Sequence, residues 1–403
     1  MIQKPSKQTN ILVFNCGSSS IKFSLIDLDH KSAILSGNVE KITEQDCTLS
    51  VKWQNNKTEK ALPEYGYREA IGVIIALLSE YKHLEHIVGI GHRVVHGGQL
   101  FSQPVKISDK VIQGIKEVMP LAPLHNFANL EGILAAREML KGIPQTASFD
   151  TAFHQSIPEL VYLYALPRKL YAQNQVRKYG FHGISHAYVT QKASQYLSIS
   201  QGNYISAHLG NGCSVTAVKQ GKSIDTSMGL TPLDGLVMGT RSGTVDPGIF
   251  SYLHSELKLD IAEITNLLNR ESGLAGLCGL SDMRDIEAQI LKKDPKSETA
   301  FDIFCHRLAK YIASYMLYFD QLDGLIFTGG IGENSALVRQ KVASYLTNIG
   351  FVIDRDANQA KTDKIRAIHR AESQHSIFVI PTDEARMIAE DCHRIINPVK
   401  AST

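Results

Sequence analysis

Three short apolar runs in this chain each break into a loop of small, backbone-exposing residues, and that pattern restricts the available folds more than any bulk property does. Residues 11–14 run into Asn15-Cys16-Gly17-Ser18-Ser19-Ser20, residues 204–207 into His208-Leu209-Gly210-Asn211-Gly212, and residues 325–328 into Gly329-Gly330-Ile331-Gly332-Glu333-Asn334. A buried strand that stops at such a loop leaves bare N–H groups and hydroxyls at its carboxyl end, which is what an anionic phosphate chain needs for close approach. None of the three has the spacing of a common nucleotide motif. There is no Gly-x-x-x-x-Gly-Lys-Ser/Thr, no Gly-x-Gly-x-x-Gly after a strand, and no protein-kinase set. Three such loops in one chain point to a composite nucleotide site on an α/β scaffold.

The coarse pattern supports that scaffold. Ile21, Phe23 and Leu25 alternate after the first loop as a strand returning from it, which makes the loop a hairpin tip. Leu49, Val51 and Trp53 alternate within a polar stretch, residues 40–60, with Asn55-Asn56 as the turn of an edge hairpin. Residues 70–79 have helical spacing, residues 86–95 read as a strand ending at Gly97-Gly98, and residues 147–149 as a strand ending at Asp150. The outline then recurs with strands at 204–207 and 214–218, helices including 301–319, and a strand stopping at Gly329. Residues 377–380 form a last strand, followed by a helix with Asp383 and Glu384 in its first turn. The halves show no sequence repeat.

Composition excludes several classes. The 403 residues are 43% hydrophobic, enough for more than one core, and the net charge of +2 comes from interspersed acids and bases. Without a run of Lys or Arg, no nucleic-acid footprint is expected. Six scattered cysteines contain no Cys-x-x-Cys pair, so inert thiols in a reducing compartment are expected. The first ten residues are polar, and no stretch approaches the roughly 18 apolar residues of a membrane span, so no membrane partner and a cytoplasmic location are expected. His92/His96 and His182/His186 are His-x-x-x-His pairs. Neither has a metalloprotease Glu or a third ligand at fixed spacing, so zinc is not expected.

Four segments join the three loops in one order: Asn15-Cys16-Gly17-Ser18-Ser19-Ser20-Ile21-Lys22, Gly91-His92-Arg93-Val94-Val95-His96-Gly97-Gly98, Tyr179-Gly180-Phe181-His182-Gly183-Ile184-Ser185-His186, and Gly239-Thr240-Arg241-Ser242-Gly243. Together they resemble the acetate kinase family, within the actin, sugar kinase and heat-shock ATPase superfamily. The resemblance implies an α/β protein of two ribonuclease-H-like, actin-like domains flanking a nucleotide cleft, working as a homodimer. It places an acyl-substrate domain at residues 1–152, completed by the final helix at 384–403, and a nucleotide domain at 153–383.

The implied reaction is reversible, Mg²⁺-dependent transfer of the ATP γ-phosphoryl group to acetate, giving acetyl phosphate and ADP, with Mn²⁺ able to substitute. A short carboxylate is already ionised at pH 7, so no general base is needed. The obstacle is an anion approaching an anion, and catalysis must come from positioning and positive charge. By resemblance, Arg93 and Arg241 flank the transferring group and the carboxylate, His182 stabilises the equatorial oxygens, and His125 supports them. Asp150 either orients Arg241 or shapes the Mg²⁺ shell, for which Asn15 and Glu384 are the matching residues. Ser18, Ser20 and Lys22 approach the terminal phosphates, His208, Leu209, Gly210, Asn211 and Gly212 cradle the β and γ groups, and Gly330, Ile331, Gly332, Glu333 and Asn334 bound the adenosine beside Asp282, Met283 and Arg284. Taken alone, Gly330-Ile331-Gly332 reads as a plain turn opening a helix.

Val95, Leu124, Phe181 and Pro232 match the family's acyl pocket. Val95 favours acetate over propionate, although one methylene is worth only about 1 to 3 kcal/mol. The chain departs from the family at Thr244, where an aspartate is common, at Asp383 in place of an asparagine, and at Ala385 in place of a second glutamate. A propionate or butyrate kinase is the nearest alternative. An ATPase using nucleotide only to drive conformational change fits the loops, but has no use for an acyl pocket.

Overall fold

The computed structural model describes residues 9–30, 32–54 and 56–398, and the chain divides into two compact units. One comprises the described residues through Ala152 and those from Asp383 onward, and the other is Phe153–Thr382.

The first unit is built on an eight-stranded mixed sheet. Its strands are β1 (Asn10–Cys16), β2 (Ser20–Asp27), β3 (Ser32–Glu40), β4 (Thr48–Trp53), β5 (Asn56–Ala61), β6 (Ile87–Val94), β7 (Val105–Lys106) and β8 (Gln145–Phe149). They lie in the order β5-β4-β3-β2-β1-β6-β8-β7. The strands β1 to β5 form an antiparallel meander, while β6 and β8 run parallel to β1. Ile11 to Phe14 form a continuous apolar run because β1 is covered on both faces. The helix Pro123–Met139 packs on one side and the helix Glu384–Ile396 also packs against β1 and β6. Gly91 permits that second contact, since a Cβ there would sit 2.5 Å from Ile388 Cγ2. The meander curls around the helix Tyr67–Glu80, burying Phe14, Phe23, Leu35, Ile71 and Ile74 together.

The second unit repeats the plan. Its strands β9 (Tyr204–Leu209), β10 (Cys213–Lys219), β11 (Lys222–Thr226), β12 (Gly324–Thr328), β13 (Arg366–Ala367) and β14 (Ile377–Val379) lie in the order β11-β10-β9-β12-β14-β13. The antiparallel β9, β10 and β11 are followed by β12 and β14 parallel to β9. This matches β3-β2-β1-β6-β8 strand for strand. Both units therefore have the ribonuclease-H-like α/β fold of actin-type ATPases.

Local expectations hold with instructive shifts. The first loop is a hairpin tip, closed by the Gly17 N–H donating to the Ser20 carbonyl at 2.7 Å. The polar hairpin is β4–β5, with Asn55 of its turn outside the described residues, and Glu40 ends the preceding β3 instead. The helix expected at 301–319 runs over Pro295–Tyr315, because Asp294 caps the Ser297 N–H at 2.8 Å and the chain tightens into a 3₁₀ turn at Met316–Tyr318. No described helix is long and apolar enough to cross a membrane. All six cysteines are free thiols, and all but Cys278 are buried.

Candidate active site

In the first unit, the carboxyl ends of β1, β6 and β8 bring Asn15, Arg93 and Asp150 together. Arg93 donates from Nε to Asp150 Oδ1 at 3.0 Å and from Nη2 to Asp150 Oδ2 at 2.5 Å, a bidentate pair. Its Nη1 donates to Asn15 Oδ1 at 3.2 Å, and its Nε lies 3.9 Å from Glu384 Oε2. Burial works against the Arg93 charge, but Asp150 and Glu384 outweigh it and raise the guanidinium pKa. Within this unit the partner of Asp150 is thus Arg93, a pairing the sequence reading did not assign.

A cavity of about 230 Å³ lies over this cluster, lined by Ser18, Ser20, Lys22, Val95 and His125 among others. Leu124 does not line it and is 65% exposed. The Asn15 and Glu384 oxygens are drawn to one guanidinium and so share a small volume. One amide oxygen and one carboxylate suit Mg²⁺, a hard ion that keeps several waters and substrate phosphates as its remaining ligands. Asp383 serves as the N-cap of the last helix, accepting from the Arg386 N–H at 2.9 Å, so the departure from asparagine preserves a capping side chain.

Two residues that sequence reasoning missed hold the β6 end in place. Asn129 accepts from the Val95 N–H at 2.9 Å and donates to the Cys16 carbonyl at 2.6 Å, tying the acyl-pocket candidate to the first loop. Asn126 accepts from the His96 N–H at 3.0 Å and donates to its carbonyl at 2.9 Å. Both asparagines are buried on the helix Pro123–Met139. His92 is a core side chain, with Nε2 2.9 Å from Gln145 Oε1, and burial pushes its pKa down to about 4. His96 Nδ1 accepts from the Gly98 N–H at 3.0 Å. Each of the two rings thus has a partner at the end of β6 or beside it.

In the second unit, the β9–β10 hairpin tip carries the second loop, closed by the Gly210 N–H donating to the Gly212 carbonyl at 3.0 Å. Gly212 is where the candidate catalytic groups meet. A Cβ there would fall 2.6 Å from Arg241 Nη2 and 3.4 Å from His182 Nε2, so any larger residue would displace one of them. Arg241 donates from Nη1 to the Pro232 carbonyl at 2.6 Å. Among the described residues, no carboxylate lies within 4 Å of its guanidinium nitrogens, and burial lowers its pKa. Thr244, the residue in place of the family aspartate, hydrogen-bonds the Asp234 carboxylate at 2.6 Å, so a carboxylate persists beside that loop from another position.

His182 adopts left-handed backbone geometry at the start of the helix Gly183–Leu197, and its ring lies 4.4 Å from that of His208. Phe181 is 2% exposed and belongs to the core of this unit, while Pro232 is half-buried and contributes its carbonyl to Arg241.

A second cavity, about 710 Å³, is lined by Gly210, Asn211, Asp282, Met283 and Arg284, and by Gly330, Ile331 and Asn334. The last three belong to the short helix Gly329–Asn334, so the third loop opens directly into a helix, as the bland reading of its glycines had it. Asp282 caps the helix Met283–Ile290 and pairs with Arg284, whose guanidinium holds the carboxyl down at about 2. Gly332 and Glu333 do not line this cavity. The Glu333 carboxylate turns inward and accepts from the Gly329 N–H at 2.9 Å and the Thr382 N–H at 3.0 Å, so it braces the loop backbone where an adenosine contact was expected.

Residues 10–390 match the sequence profile of the acetokinase family. The acetate kinase of Francisella tularensis subsp. holarctica is 49% identical over 389 residues, covering 96% of this chain and all of the relative. The crystal structure of a propionate kinase from Francisella tularensis subsp. tularensis superposes with a TM-score of 0.93 at 48% identity, covering 96% of this chain and 100% of that one. The Porphyromonas gingivalis acetate kinase superposes with a TM-score of 0.92 at 40% identity, with the same coverage.

Proposed function

The chain belongs to the acetokinase family, and from that premise we propose that it transfers the ATP γ-phosphoryl group to acetate, reversibly and in a direct in-line step, giving acetyl phosphate and ADP. The observation that carries this reading is Arg241. It is a part-buried guanidinium with no carboxylate partner among the described residues, packed with His182 around a glycine at a strand-end loop. A cation kept without a counterion is suited to an incoming anion, and positive charge at the transferring oxygens is what phosphoryl transfer between anions requires.

Arg241 and His182 are assigned to the phosphoryl oxygens. Arg93 is assigned to the acyl carboxylate, with Asp150 fixing its plane through the bidentate pair and Val95 limiting the acyl group. The acceptor enters as a carboxylate and attacks without prior deprotonation, so neither a serine nor a cysteine acts as nucleophile. Gly210, Asn211, Gly330, Ile331 and Asn334 hold the nucleotide in the larger cavity, with Asp282, Met283 and Arg284 on its other wall. Asn15 and Glu384 would hold Mg²⁺, or Mn²⁺ in its place, and the ion would supply positive charge against the phosphates.

The second reading, a propionate kinase, is favoured by the Francisella structure of that name at 48% identity. Steady-state rates on acetate, propionate and butyrate with Mg-ATP decide between them. Acetate is expected to have the highest kcat/KM, with propionate lower by roughly 10- to 200-fold, the discrimination one methylene supports. Propionate exceeding acetate would reverse the assignment. We further infer a homodimeric, cytoplasmic enzyme.

A further inference from the structure

Two of the four histidines clustered in the second unit have no part in the chemistry above. Ring centroids separate His182 from His208 by 4.4 Å, His186 from His208 by 6.2 Å, and His154 from His186 by 5.9 Å. Through this cluster runs a chain of hydrogen bonds. Ser206 Oγ lies 3.0 Å from His186 Nδ1, His186 Nε2 lies 2.8 Å from Ser214 Oγ, and the same Ser214 Oγ lies 3.0 Å from His182 Nδ1. His186, Ser206 and Ser214 are each 0% exposed, whereas His182 is half-buried beside Arg241.

The proton count along this chain is limited. Burial, reinforced by His154 and His208, keeps the His186 pKa well below the ordinary histidine range, so its ring is neutral with one donor and one acceptor. Ser214 has a single proton to give and two imidazoles to satisfy. If His186 Nε2–H donates to Ser214, the Ser214 hydroxyl donates to His182 Nδ1, and the Ser206 hydroxyl donates to His186 Nδ1. His182 is then a neutral imidazole whose remaining proton sits on Nε2, the nitrogen beside Gly212 and Arg241. In the reverse arrangement, His182 Nδ1 donates to Ser214 and a neutral His182 presents a bare lone pair at Nε2, which would repel a phosphoryl oxygen.

We propose that His186 and Ser214 are positioning residues that set His182 in its Nε2–H tautomer, so that it donates a hydrogen bond to the transferring phosphoryl group while uncharged. The inference rests on the role given to His182 above. It also assigns to His186 a purpose other than metal binding, since both of its ring nitrogens are engaged by serines.

Ser214→Ala removes the hydroxyl with little change in volume. It is expected to lower kcat by roughly 10- to 100-fold, as loss of an orienting partner typically does, with KM for acetate and ATP within about twofold. His186→Gln, whose amide can reach the Nε2 position, is expected to retain most activity, while His186→Asn, which reaches only the Nδ1 position, loses it. Long-range ¹H–¹⁵N correlation of the imidazoles reads the tautomer directly: His182 is Nε2–H in the starting enzyme and mixed in Ser214→Ala. His182→Ala separates the two levels of inference. Unimpaired turnover in that variant would remove the role of His182 itself. A large loss there, with normal kcat and an unchanged His182 tautomer in Ser214→Ala, would overturn the relay alone, whatever the folding of the His186 variants.

Discussion

Two arginines chosen for one reaction sit in opposite electrostatic states. Arg93 is held by Asp150 and Asn15 with Glu384 3.9 Å away and still has N–H donors to spare, whereas among the described residues the Arg241 guanidinium meets a carbonyl and no carboxylate. Under the proposed function this difference divides their labour: a guanidinium held in a fixed plane suits a planar carboxylate, and one without a counterion suits a phosphoryl group as charge develops. Arg241→Ala is therefore expected to lower kcat by about a thousandfold or more, comparable to loss of an arginine finger, with far-UV circular dichroism unchanged. Turnover near normal in a folded variant would exclude the assigned role. The candidate arginines were legible as residue types in glycine-rich segments. Their partners were not, because Asp150 lies 57 positions from Arg93 in the chain and no local pattern joins them.

Among the elements, the helix Pro123–Met139 is one that sequence patterning hid. Its buried face includes Asn126, Ala128, Asn129, Gly132, Ala135 and Ala136 beside Leu130 and Ile133, so polar and small residues interrupt the stripe that marks an amphipathic helix. The asparagines are buried because β6 ends without a strand partner for Val95 and His96, and their side-chain amides replace the missing ladder. Asn129→Leu keeps the branched shape of the side chain and removes both bonds, leaving the Val95 N–H and the Cys16 carbonyl without the Asn129 partner. We expect a loss of about 2 kcal/mol or more in denaturant unfolding, together with a raised KM for acetate. An unaltered KM would detach Asn129 from the acyl pocket. By contrast, the β1–β2 and β9–β10 hairpins were readable, since alternation on both sides of a small-residue tip is a local signal.

For the whole molecule, the two sheets share one strand order without sharing sequence, and each buries neutral histidines. Burial pushes His92 in the first unit and His154 in the second down to about 4, from an ordinary 6.5. Between those values the unfolded chain binds protons that the native chain refuses. Their contribution is complete above pH 6.5, is lost as pH falls towards 4, and is constant below that, on the order of 3 kcal/mol for each ring. The unfolding midpoint is expected to drop over this window, with a shallower fall in His154→Gln. An identical slope would show that this ring does not contribute. The helix Gly248–Leu257 buries none of its residues and leaves Tyr252 and Leu257 at least 60% exposed, so the homodimer proposed above is expected to cover it. Light scattering is expected to give a dimer that becomes monomeric in Tyr252→Glu/Leu257→Glu, and a monomeric starting protein would refute the assignment.

The amino-acid order alone determined what is local: strands that end in loops of small, backbone-exposing residues, the residue types of the proposed chemistry, and through their sequence of motifs the acetokinase family. Tertiary structure decided what depends on distant partners, namely that Asp150 holds Arg93, that Glu333 turns onto the backbone, and that Ser214 joins two histidines. The reason is physical. Hairpins and strand ends arise from neighbouring residues, whereas a buried charge or hydroxyl is defined by what folding places within 3 Å of it, and that is set by the packing of the sheet and its helices.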